Sequence, residues 1–126
     1  MNRDMDLVRE ILMKLEASDG PVDVNELVTA EWSRDFVTYH FKIMDEAGLI
    51  ESNRAFADNQ LFMAQANSLT WEGHEYLDSV KSDTVWRKVK EKLAKVGGSA
   101  SIDVVKSLAV AVGKKLLSDE LSVTLG

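Results

Sequence analysis

The spacing of apolar residues changes twice along this chain, and that change narrows the possible folds more than any single motif. The first segment places Leu7, Val8, Ile11, Leu12 and Leu15 on one helical stripe, with Arg9, Glu10, Lys14 and Glu16 left for solvent. Ser18-Asp19-Gly20-Pro21 stops that helix with turn chemistry. Val22 and Val24 flank a short extended piece, and Asp23 or Asn25 can cap a short second helix holding Leu27 and Val28. Ser33 is the candidate N-cap of a third helix that runs to Ala47. That helix turns Val37, Phe41 or His40, Met44 and Ala47 inward. Gly48 stands where a left-handed residue ends a helix. The period then shifts: Leu49 to Ser52 and Leu61 to Ala66 read as short strands around a polar loop, Asn53 to Gln60. Three helices followed by a two-stranded ribbon is the order of a winged helix.

Helical spacing then returns. Thr70 as N-cap and Gly73 as a packed glycine open a fourth helix that includes Trp71, Tyr76 and Leu77. Asp83 or Thr84 caps the next, with Val85, Trp86, Val89, Leu93 and Val96 on one face and Gly97-Gly98 at its end. Ser101 caps a last helix, with Asp103 near its positive end and Lys114 and Lys115 near its negative end. Its apolar set is Ile102, Val105, Leu108, Ala109, Val112 and Leu116, widened by Val104, Ala111 and Leu117. Ser118 to Gly126 is expected to fray, although Leu121, Val123 and Leu125 alternate like a short strand. The fold class expected is therefore mainly α with a small β wing, an α+β chain. A winged-helix domain occupies residues 1–82, a two-helix C-terminal extension 83–118, and a flexible tail 119–126.

Several stretches also resemble a known family. Arg3 to Leu12, Tyr39-His40, Glu46-Ala47-Gly48-Leu49-Ile50, Leu69-Thr70-Trp71-Glu72-Gly73-His74-Glu75 and Trp86-Arg87-Lys88-Val89-Lys90 are similar to a prokaryotic and phage-encoded family catalogued as domain of unknown function 2513. The resemblance covers nearly the whole chain and is most specific from Leu69 to Glu75. It implies a winged-helix protein of bacterial or phage origin and carries over no catalytic residues.

Composition excludes several chemistries. The chain has no cysteine, which removes disulfides, thiolate metal sites and cysteine nucleophiles together. Its charged opening, Met1 to Asp6, does not read as a signal peptide, and the longest nearly apolar stretch, Leu108 to Gly113, falls far short of the ~20 residues that span a bilayer. A cytoplasmic protein that does not engage a membrane is expected. There is no phosphate-cradling glycine loop, no nucleophile elbow and no His-Glu-x-x-His. Asp45 and Glu46 are adjacent and project in different directions. His40 reads as a core or surface contact, and His74 has no second histidine at i+4. A non-enzyme without cofactor, metal or small-molecule substrate follows as the expectation.

Charge distribution narrows the partner. Residues 1–80 carry six basic side chains against sixteen acidic ones, a net of −10, whereas residues 81–126 carry nine against five, a net of +4. For DNA, the third helix offers Arg34, Thr38, Tyr39 and Lys42, and the wing offers Arg54. Against that, Glu31 to Ala47 holds two basic and four acidic residues, and Asp58 offsets Arg54. The run Arg87, Lys88, Lys90, Lys92 and Lys95 is a candidate polyanion site, or a solvated face that docks on the acidic head. Trp32, Trp71 and Trp86 read as packing residues. Val105, Leu108, Ala109, Val112 and Leu116 are the candidates for self-association, with an antiparallel dimer favoured. Two functions stay open: a transcriptional regulator that binds DNA, and a protein-interaction adaptor whose acidic head does not.

Overall fold

Asp4 starts the first helix. Its backbone is extended and its carboxylate accepts from the N–H groups of Asp6 and Leu7, at 2.9 and 3.1 Å, which caps α1 (Met5–Ala17). The computed structural model describes residues 1–96 and 101–125. The expected stripe of α1 is buried, from Leu7 to Leu15. Arg9, expected in solvent, is only 7% exposed. Its long stem allows that burial, and its charge reaches the buried phenol of Tyr76.

The expected second helix is a single 3-10 turn, Val24–Glu26, behind the two-residue strand β1 (Val22–Asp23). Asp23 is its cap: the carboxylate accepts from Asn25 N–H at 2.8 Å while its own N–H donates to Glu26 Oε2 at 2.8 Å. The turn goes no further because Thr29 bends the chain, its hydroxyl accepting from the N–H groups of Glu31 and Trp32. Ser33 then caps α2 (Arg34–Glu46), accepting from Phe36 N–H at 3.2 Å. Both His40 and Phe41 face the core, with Val37 and Met44, whereas Ala47 lies past the helix end and is exposed. Gly48 has φ +77°, and Leu49 N–H closes on Met44 O at 2.9 Å, as expected of a left-handed helix stop.

The strands are longer than their apolar pattern suggests. β2 (Ile50–Ala57) and β3 (Gln60–Leu69) run through most of the expected polar loop, and the antiparallel sheet has the order β1-β3-β2. The reversal needs only Asp58 and Asn59, at φ 52° and 64°, between the partners Ala57 and Gln60. Asp and Asn are the non-glycine residues that tolerate this backbone most readily, so a two-residue hairpin forms without glycine.

α3 (Trp71–Val80) is fitted to the sheet by Thr70 and Gly73. The Thr70 hydroxyl accepts from Gly73 N–H at 3.0 Å and donates to the Gly48 carbonyl, while Thr70 N–H bonds Leu49 O at 3.1 Å. A Cβ at Gly73 would stand 2.0 Å from Leu49 O, so only glycine permits this approach.

The chain divides into two compact units, Met1–Leu77 and Asp78–Gly126. The division falls inside α3, ahead of the expected boundary at residue 82. In the second unit Ser82, rather than Asp83 or Thr84, caps α4 (Asp83–Val96), accepting from Val85 N–H at 3.3 Å. Ser101 caps α5 (Ile102–Leu125), accepting from Val104 N–H at 3.2 Å. α5 continues to Leu125, so the expected tail is helical over most of its length and Lys114 and Lys115 lie mid-helix. No proline or glycine follows Gly113 before residue 126 to stop it. Gly97-Gly98 lies outside the described residues. The expected α+β class is found, and among the described residues no helix is long and apolar enough to cross a membrane.

Candidate functional site

The five residues read as facing DNA are exposed to different degrees. Arg34, half-buried at the start of α2, turns its guanidinium toward β3, where Nη1 donates to the Leu61 carbonyl at 3.3 Å. Thr38 Oγ1 donates to the Arg34 carbonyl at 2.8 Å, one turn back along the helix. Tyr39 is half-buried, edge-on to the His40 ring with centroids 5.8 Å apart. Lys42 is exposed and lies 3.8 Å from Glu46. Arg54 is exposed on β2. Of the three cations among them, Lys42 and Arg54 are exposed and Arg34 partly so, and Glu31, Asp35, Asp45, Glu46 and Glu51 are exposed on the same stretch of chain. Asp45 is also structural: Oδ2 accepts from both N–H and Oγ of Ser52, each at 2.8 Å, which ties α2 to β2.

Behind α2 lies a polar joint that the residue spacing did not reveal. His40 is fully buried; Nδ1 donates to the Phe36 carbonyl at 2.9 Å, and Nε2 accepts from Asp4 N–H at 2.9 Å. That pairing selects the neutral ring. Burial lowers the His40 pKa, opposed by the Phe36 carbonyl and the Asp4 charge. Trp32 Nε1 donates to Asp4 Oδ2 at 3.1 Å. Asp4 thus joins the start of α1, the loop before α2 and the middle of α2, contacts separated by 28 and 36 residues in sequence. Neither its capping role nor its long-range partners was read from the sequence. The joint is architectural, and among the described residues no three acidic or histidine side chains gather to hold a metal.

The tryptophans divide. Trp86 is buried and Trp32 half-buried, but Trp71 is 76% exposed, contrary to its expected packing role. Gly73 fixes which face of α3 meets Leu49, and a residue two positions earlier lies about 200° around the helix.

The basic run of α4 splits in the same way. Arg87 and Lys90 are exposed away from Lys88, Lys92 and Lys95, which share one helix face at spacings of four and three. Those three meet Lys115 of α5 along a cleft between the two helices. On α5 the expected self-association set is largely committed: Val105, Ala109 and Val112 are buried within the chain, and Leu108 and Leu116 are half-buried. The exposed apolar residues are instead Val104, Val110, Leu117 and Leu121.

Over residues 2–100 the chain matches the family model described as "Hypothetical protein (DUF2513)". The protein is a DUF2513 family member. The matched residues take in α1 through α4 and stop before α5. This DUF2513 protein is also 34% identical over 119 residues to a Haemophilus influenzae protein whose name reads "Uncharacterized protein", covering 94% of this chain and 100% of the relative. No solved structure matches it.

Proposed function

We propose that this DUF2513 protein is a non-catalytic, cytoplasmic interaction protein. In this reading an acidic winged-helix head docks a basic protein partner, and a helical unit joins copies of the chain. The winged-helix reading rests on the order α1, β1, 3-10 turn, α2 and the β2–β3 hairpin, with α2 in the position of a recognition helix. The observation that carries the function is the charge on that helix. Its exposed charged residues are Asp35, Asp45 and Glu46 against Lys42, while Arg34 is partly buried and directs its guanidinium to the Leu61 carbonyl, so the acids outnumber the bases even with Arg34 counted. A phosphate backbone would be repelled there, whereas lysine- or arginine-rich protein surface would be attracted.

Self-association is supported by Val110, Leu117 and Leu121, which recur at intervals of seven and four on one exposed line of α5. Fluorescence anisotropy at low salt tests the head's role, using labelled duplex DNA and a labelled lysine-rich peptide. Saturable binding of the peptide, weakened by salt and by Asp35→Asn with Glu46→Gln, is the expected result. Tight, salt-dependent binding of the duplex, lost with Lys42→Ala and Arg54→Ala, would overturn this reading in favour of a DNA-binding regulator.

A further inference from the structure

The cleft between α4 and α5 has a volume of about 370 Å3 and joins an apolar floor to a cationic rim. Leu108, Ala111, Val112 and Leu116 make the floor, with Ala111 exposed and both leucines half-exposed. Lys88, Lys92, Lys95 and Lys115 stand on the rim with Glu91 and Asp119, a balance of four cations to two carboxylates. None of these four lysines is engaged in an ion pair with a described residue. From Leu108 to Asp119 the cleft follows ~16 Å of helix, or about three turns at 1.5 Å per residue.

We propose that this cleft binds an acidic amphipathic helix from a partner protein, its apolar stripe on the floor and its carboxylates against the lysines. Three occupants compete, and charge together with surface type decides among them. A second copy related by a two-fold axis through the cleft would set lysines opposite lysines. A nucleic-acid backbone would gain from the cations and nothing from the leucines. An acidic helix with apolar residues at i, i+3 or i+4, and i+7 gains from both. The site is chemically separate from the head, whose proposed partner is basic.

The test is anisotropy of the full chain with a labelled synthetic helix of about four turns, leucines on one stripe and glutamates elsewhere. Saturable, salt-weakened binding is expected. It should weaken about tenfold or more for a scrambled peptide of the same composition, and likewise for the chain carrying Lys92→Glu and Lys115→Glu. Ala111→Glu, at an exposed position on the floor, should also block binding, with the circular dichroism spectrum and melt of each variant unchanged. The proposal is overturned by absence of binding, by equal binding of oligoglutamate or duplex DNA, or by variants that keep both fold and full affinity.

Discussion

The two units of this chain bury their apolar residues to different degrees. In the head the apolar stripes of α1 and α2 are consumed: Leu7, Ile11, Leu12, Val37 and Phe41 are fully buried, as are Ala64 and Ala66 of the sheet. In the second unit α5 is apolar in three directions. Val105, Ala109 and Val112 are buried, Leu108 and Ala111 line the cleft, and Val110, Leu117 and Leu121 point to solvent at 38%, 61% and 51% exposure. A helix apolar all round belongs in an interior, and monomers seldom leave such surface open without a use. The open apolar surface of α5 is what the self-association proposed above would cover.

The contrast can be broken most sharply in the head. Phe41→Ala empties a fully buried position and should cost about 3–5 kcal/mol in urea unfolding, whereas Val104→Ala, exposed and off the line proposed for self-association, should stay within about 0.5 kcal/mol in the same assay. Equal costs would dissolve the distinction. Gly73→Ala drives a methyl into the Leu49 carbonyl, a backbone atom that cannot step aside, and should cost about 3 kcal/mol. Gly48→Val meets open space, so only backbone strain at φ +77° remains, about 1–2 kcal/mol by thermal melt.

His40 adds a pH dependence confined to the head. Burial lowers its folded pKa, so the unfolded chain takes up a proton first as pH falls. Its contribution is fully present above the ordinary histidine value of about 6.5 and is lost as pH drops through the lower folded value. Protonation also removes the acceptor for Asp4 N–H. Unfolding midpoints measured across mildly acidic pH should decline for the native chain, and His40→Gln should flatten that part of the decline.

Legibility in the sequence followed the range of the interactions. Helix stops and caps set by one or two neighbours were readable: Ser33, Gly48, Thr70, Gly73 and Ser101 all serve as their local chemistry implies. The strands of the wing were underestimated because Asn53 to Gln60 carries little apolar alternation, and backbone pairing, not burial, extends them. Trp71 was misjudged because it lies near a helix start, where the direction of a side chain depends on how the helix is docked, which spacing does not encode. Of the residues read for self-association, Val105, Ala109 and Val112 are buried within the chain, since α4 and α5 pack on a stripe that the breadth of α5 left ambiguous.

Light scattering on the full chain and on the chain carrying Leu117→Glu and Leu121→Glu tests most directly whether the helical unit is completed by another copy. A dimer or larger is expected for the native chain and a folded monomer for the variant, because two charges on the exposed line of α5 disrupt assembly without touching either core. A native chain that stays monomeric at high micromolar concentration, or a variant that assembles as the native chain does, would contradict it.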